Sequence, residues 1–190
     1  MRLGIVGGTF NPIHLGHLIL AECAREQCRL DAVWFMPAAA PPHKSSRGLL
    51  DGRRRLRLIR LAVRGHPAFC ACDLELSMGG VSYTIRTVRA LKVRYPKTQL
   101  FFILGSDMLK VPWYRFKELQ RLCTFVVADR DSSPSVRRRP GMRRIVMPYI
   151  DISSSMIRER VRRGRSIRYL VPEPVAQAIA RGRLYRGGRG

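Results

Sequence analysis

Short apolar runs alternate with longer helical patterns along almost the whole chain, and this alternation narrows the possible folds more than any other feature. Runs suited to strands lie at Leu3–Val6, Ala32–Met36, Phe69–Leu76, Gln99–Leu104, Thr124–Ala128 and Ile145–Met147. Between them, helical spacing is read over Leu15–Gln27, Arg53–Val63, Tyr83–Tyr95, Phe116–Leu122 and Ser154–Arg163. In the third of these helices Ile85, Val88, Leu91 and Lys92 fall on one face, with arginines mainly opposite. Repeated strand–helix–strand units imply a parallel sheet, because parallel neighbours need a crossover long enough to hold a helix. The expected fold class is α/β: a Rossmann-like, doubly wound, mostly parallel sheet with helices on both faces. With 190 residues and 46 % hydrophobic content the chain can bury one full core, so a single domain over 1–190 is expected.

Two connections stand out by composition. Ala38–Gly48 holds Pro41, Pro42 and a serine pair, and Asp131–Gly141 mixes serine, proline and an arginine triplet. Both read as exposed, mobile loops too short to separate domains. No opening apolar run resembles a signal peptide, and no later one approaches the roughly 20 residues of a membrane span. A soluble cytoplasmic protein without a membrane partner is expected. The five cysteines, Cys23, Cys28, Cys70, Cys72 and Cys123, are odd in number and form no CxxC pair, so they read as reduced structural thiols. Cys70 and Cys72 are expected on one face of a strand.

Charge is lopsided: 36 Lys and Arg against 13 Asp and Glu give +23. Such an excess attracts any polyanion. The arginines, however, are scattered through Arg53–Arg64, Arg137–Arg144, Arg158–Arg168 and Arg181–Arg189, mostly without the interleaved aromatics on which single strands stack. Weak, non-specific polyanion binding is therefore expected, on a solvated basic surface around a site for phosphate substrates.

Ligands of open parallel sheets gather beyond the carboxyl ends of the strands. That rule sets Gly7–His17, Pro41–Lys44, Gly105–Asp107 and Ser153–Arg158 along one rim. In Gly7-Gly8-Thr9-Phe10-Asn11-Pro12-Ile13-His14-Leu15-Gly16-His17 the glycines permit a sharp turn and close approach to a ligand, and the helix start that follows offers amides to an anion. His14 and His17, three residues apart, project to the same side if both are helical. Two imidazoles there can bond phosphate oxygens and stabilise charge developing at phosphorus. In Ile152-Ser153-Ser154-Ser155-Met156-Ile157-Arg158 the serines suit a helix N-cap, the same amides suit phosphate, and the Arg158 fork suits pyrophosphate.

GGTFNPIHLGH with ISSSMIR resembles the paired signature of the HxGH nucleotidyltransferase superfamily. The intervening Pro41-Pro42-His43-Lys44, Ser82-Tyr83-Thr84, Gly105-Ser106-Asp107 and Trp113-Tyr114 are similar to bacterial nicotinate-mononucleotide adenylyltransferases, as are Ile167–Pro172 and Leu184-Tyr185 near the end. The resemblance implies transfer of an adenylyl group from ATP to nicotinic acid mononucleotide. It implies an ATP site of Gly8, Thr9, Phe10, His14, His17, Lys44, Ser153, Ser154 and Arg158, with His14 and His17 catalytic. It also implies an acceptor site in which Thr84 and the backbone near Tyr114 meet the nicotinate carboxylate, Trp113 stacks on the pyridine ring and Asp107 bonds a ribose hydroxyl. The implied cofactor is Mg2+, held mainly through substrate phosphates, with no dedicated protein metal site.

Three departures from the family pattern stand in this sequence. Asn11 replaces the usual aspartate; Met78 and Arg86 stand near Ser82-Tyr83-Thr84 where arginine and aspartate are common; and the stretch from Asp107 to Trp113 is about two residues short. For Trp113 a half-buried, loop-anchoring role is the alternative to ring stacking. Other adenylyl acceptors, nicotinamide mononucleotide or phosphopantetheine, and a polyanion-binding protein with a vestigial nucleotide pocket are the competing functions.

Overall fold

The computed structural model describes residues 1–40, 48–105, 113–129 and 141–186. Its six strands are β1 (Arg2–Gly8), β2 (Ala32–Pro37), β3 (Phe69–Ala71), β4 (Gln99–Gly105), β5 (Thr124–Asp129) and β6 (Met142–Val146). They pair in the order β3-β2-β1-β4-β5-β6, and every pairing is parallel. The helices are α1 (Leu15–Cys28), α2 (Gly52–Val63), α3 (Leu74–Met78), α4 (Thr84–Arg94), α5 (Phe116–Leu122), α6 (Ser154–Arg162) and α7 (Glu173–Arg181).

Both faces of the sheet are covered, which is why the central strands are apolar at nearly every position. Val6, Val33, Phe35, Phe101, Ile103 and Val126 face α1, α2, α6 and α7. Leu3, Ile5, Met36, Leu100, Phe102 and Phe125 face α4 and α5, with Leu74 of α3 at the margin. The doubly wound expectation is thus met. Winding begins at β1, which has β2 on one side and β4 on the other. The chain leaves β1 for the face of α1 and enters α5 on the opposite face after β4, so a crevice opens between the two exits.

Several local expectations are corrected. The strand read over Phe69–Leu76 stops at Ala71, and Leu74–Met78 is helical. Leu74 and Leu76 fit a period of two as well as a helix; what decides is Glu75, buried between them and needing a donor, which it finds in the Thr87 hydroxyl at 2.6 Å. Cys70 is exposed, Cys72 lies beyond the strand, and the two share no strand face; all five cysteines are free thiols. The last strand begins at Met142, earlier than expected, because a sheet edge tolerates the exposed Arg143 and Arg144. Helix α7 was not among the expected helices; Pro172 and Pro174 sit at its N-cap and first turn, where a missing N–H costs nothing. Most of both proline- and serine-bearing loops, 41–47 and 130–140, lies outside the described residues. Among the described residues no helix is long and apolar enough to cross a membrane.

Candidate active site

The loop from β1 to α1 stands at the carboxyl end of the sheet's central strand. Phe10 has φ 48°, in the left-handed region, and turns the chain out of the strand. Its ring packs against Phe35 and meets His17 edge-on at 5.0 Å. His14, 5 % exposed, is the N-cap residue of α1, and its ring lies over that of His17 with centroids 3.7 Å apart and planes at 31°. His17 Nδ1 accepts the His14 backbone N–H at 3.3 Å. An acceptor at Nδ1 places the proton of a neutral imidazole on Nε2, which is thereby the donor. Gly16 leaves room for the stacked pair: a Cβ there would stand 3.1 Å from His14 Nδ1 and press that ring to shift by a few tenths of an ångström.

One expectation about this loop changes. The Leu15 amide donates to the Leu170 carbonyl and the His17 amide to the His14 carbonyl, both at 3.0 Å. With the His14 amide also engaged, the start of α1 spends much of its donor capacity internally.

The serine motif, distant in sequence, is brought onto the same loop. Ser153 caps α6, its Oγ accepting the Met156 amide at 3.2 Å. Ser154 Oγ donates to the Pro12 carbonyl at 2.7 Å, and Arg158 Nη1 donates to the Asn11 carbonyl at 2.8 Å. These bonds join the two halves of the signature. Both Ser154 and Arg158 remain partly exposed.

On the β4 side, Thr84 opens α4 and is half-buried. Its neighbour Tyr83 stacks obliquely on Tyr114, centroids 5.2 Å apart, so the Ser82–Thr84 turn and the Trp113-Tyr114 pair are adjacent. Trp113 is half-buried, with its ring in edge contact with Phe102 at 5.8 Å and Phe125 at 5.5 Å. Arg86, where the family pattern differs, donates to the Gly79 and Val81 carbonyls and secures that turn. Lys44 and Asp107 lie outside the described residues.

Two buried polar centres escaped sequence reading. Arg55 of α2 is 1 % exposed and donates to three backbone carbonyls: Leu50 at 2.8 Å, Thr9 at 2.9 Å and Ala38 at 2.7 Å. Burial lowers its pKa from the ordinary arginine value. Asn11, 6 % exposed, uses both ends of its amide: Nδ2 donates to the Gly48 carbonyl at 3.0 Å, while Oδ1 accepts the Leu50 amide at 3.2 Å and the Tyr185 hydroxyl at 2.9 Å. An ionised aspartate could not make the first of these bonds. Burial also pushes the Tyr185 hydroxyl well above its usual pKa.

Glu75 is the second centre. Its carboxyl is held by Thr87 and Ser82, and Ser82 Oγ in turn accepts the Ala39 amide at 2.8 Å, linking α3 to the exit of β2. Burial raises the Glu75 pKa more than these bonds lower it. A raised carboxyl pKa means that the folded state keeps its proton after the unfolded chain has lost it. The Glu75 contribution is therefore fully present below the ordinary carboxylate range and declines as pH rises through the folded-state value. Glu75→Gln is expected to flatten that decline, so that the variant gains on the parent between acid and neutral pH. Urea unfolding across the range checks it; parallel curves would show that Glu75 does not titrate in that window.

Among the described residues no three His, Cys, Asp or Glu side chains are grouped to hold a metal ion. The described rim offers imidazole, hydroxyl and guanidinium groups, and these suit phosphate oxygens.

A sheet wound outward from β1, with paired imidazoles at its central carboxyl end and a serine–arginine helix start locked against them, defines a nucleotidyltransferase. The cytidylyltransferase-like family model matches residues 5–160. A protein of Exiguobacterium sibiricum is 45 % identical over 188 residues, covering 97 % of this chain and 99 % of its own. One of Salinibacter ruber is 42 % identical, covering 98 % of each chain. Both are named "Probable nicotinate-nucleotide adenylyltransferase". The chain belongs to this nicotinate-nucleotide adenylyltransferase branch of the cytidylyltransferase-like family. The solved Plasmodium falciparum nicotinic acid mononucleotide adenylyltransferase complexed with NaAD shares the fold, with TM-score 0.81 over 97 % of each chain at 20 % identity.

Proposed function

We propose that this chain transfers the adenylyl group of ATP to nicotinic acid mononucleotide, releasing pyrophosphate and forming nicotinic acid adenine dinucleotide. The observation that carries the reading is the junction of Ser154 and Arg158 with the histidine loop, which makes one phosphate-binding surface from two distant motifs. A phosphate oxygen of the mononucleotide attacks the α-phosphorus of ATP, and the bond to the β-phosphate oxygen breaks as the new one forms. No enzyme group is adenylylated along the way. His17, through Nε2–H, and His14 hold the α-phosphate oxygens and stabilise charge that builds there. Gly8, Thr9 and Phe10 let the nucleotide approach the loop backbone closely. Lys44, Ser153, Ser154 and Arg158 hold the triphosphate and then the departing pyrophosphate. Magnesium arrives as part of the substrate, MgATP, with phosphate oxygens and water as its ligands.

Thr84 and the backbone near Tyr114 receive the nicotinate carboxylate, Trp113 contributes an aromatic face to the pyridine, and Asp107 takes a ribose hydroxyl. The Tyr83–Tyr114 contact supports this grouping. A carboxylate accepts from donors that would face an NH₂ group unproductively in the amide analogue. Losing one charge-assisted bond costs about 1.5–3 kcal/mol, or roughly one to two powers of ten. Nicotinic acid mononucleotide is therefore expected to exceed nicotinamide mononucleotide at least about tenfold in kcat/KM, and Thr84→Val to narrow the gap. Competition of the two in one reaction, with the products separated, measures the ratio. A ratio near one, or one favouring the amide, contradicts the assignment of the acceptor.

A further inference from the structure

Parallel strands exchange hydrogen bonds in a fixed rhythm: a residue that donates to one carbonyl of its neighbour accepts from the amide two residues further on. Ala38, just past β2, donates its N–H to the Gly8 carbonyl at 2.9 Å. The next bond of the ladder would run from the Phe10 N–H to the Ala38 carbonyl. That bond does not occur among the backbone bonds of the described residues; instead Arg55 Nη2 donates to the Ala38 carbonyl at 2.7 Å and Arg55 Nη1 to the Thr9 carbonyl at 2.9 Å. In a trans peptide the C=O and N–H of one unit point in opposite directions. Drawing the Thr9 carbonyl toward the guanidinium therefore turns the Phe10 N–H away from it, and that N–H meets no acceptor among the described residues.

We propose that Arg55 is a positioning residue for the adenylyl-transfer site: by ending the β1–β2 ladder one bond early it presents the Phe10 amide as a donor to a nucleotide phosphate. The proposal rests on the function given above and deepens it. Arg55 touches no substrate. Its guanidinium binds three carbonyls on two different loops, Thr9 on one side and Ala38 and Leu50 on the other, and forms no ion pair with a carboxylate among the described residues. Three acceptors in one plane need the fixed fork of arginine, and a lysine ammonium cannot reproduce that geometry. Burial among carbonyls fits a group kept for alignment, since a surface arginine would do as well for charge alone. The adjacent Asn11–Tyr185 bond holds the next residue of the same loop, so Phe10 is fixed from both sides.

The test combines amide NMR with kinetics. In the parent, the Phe10 amide should exchange rapidly with solvent and move downfield when a non-hydrolysable ATP analogue is added. In Arg55→Lys it should become protected before any ligand is added, through the restored ladder bond, and respond little to the analogue. Turnover should fall about tenfold or more, while the dissociation constant for nicotinic acid mononucleotide stays within about threefold, a split that general loosening of the fold would not give. A Phe10 amide that is already protected in the parent, or unmoved by the analogue, overturns the proposal without recourse to any variant. So does a folded Arg55→Lys with parental turnover. The analogue titration uses no mononucleotide, so failure to form the dinucleotide would count against the proposed function alone and leave the Phe10 result to stand or fall by itself.

Discussion

His17→Ala is expected to lower kcat by about a hundred- to a thousandfold while the ATP dissociation constant stays within about threefold of the parent. The separation follows from where the imidazole acts. In the proposed site the α-phosphate would be held in the ground state by several groups besides His17, so one lost contact would be tolerated. As the pentacoordinate transition state forms, charge shifts onto the α-phosphate oxygens, and a donor fixed in advance gains strength without reorganising. The bond from the His14 amide to His17 Nδ1 is what fixes it, leaving the proton of a neutral ring on Nε2. His17→Asn, which can keep a donor but not its reach, should recover only part of the loss. His14→Ala should follow in the same direction with some loss of stability, because His14 is buried and packs face to face on His17. Steady-state kinetics beside an ATP-binding titration decide the matter, and turnover within a few fold of the parent would remove the imidazole pair from catalysis.

Arg158→Lys should behave differently, weakening ATP and pyrophosphate alike. A guanidinium fork can hold two phosphate oxygens at once, and in the proposed role it would do so before, during and after transfer, so its loss would be felt in the ground state. Here Arg158 also donates through Nη1 to the Asn11 carbonyl, in the loop that carries the histidines. Lysine can satisfy either the carbonyl or the phosphate but not both with the same geometry. Loss of about one charge-assisted bond corresponds to a fall of roughly one to two powers of ten in kcat/KM for ATP. Calorimetric titration with ATP and with pyrophosphate provides the check. Parental affinity for both in the variant would mean that Arg158 serves only to hold α6 against the loop.

The sheet and most helices were legible because burial on both faces leaves apolar runs in the sequence, as at Leu3–Val6 and Gln99–Leu104. The misreadings fall where period and burial part company. Leu74 and Leu76 alternate like a strand but belong to a helix, and Arg143 and Arg144 hid an edge strand whose outer positions are exposed. The histidine and serine motifs could be read because each is a contiguous stretch with its own local physics. Arg55 could not, being one of several arginines in α2; yet it stands three and four residues before Leu58 and Ile59, on the buried stripe, and that misplaced charge was the available signal. Asn11 and Tyr185 are separated by 174 positions, and no local pattern could pair them.

The most direct measurement is a single reaction containing the protein, MgATP labelled in the α-phosphate and nicotinic acid mononucleotide, with products separated by mass and pyrophosphate counted independently. Adenylyl transfer predicts that the label appears in nicotinic acid adenine dinucleotide in a one-to-one ratio with pyrophosphate. It also predicts that both products fall together in His17→Ala. Label recovered as free AMP, or pyrophosphate released without dinucleotide, would contradict it.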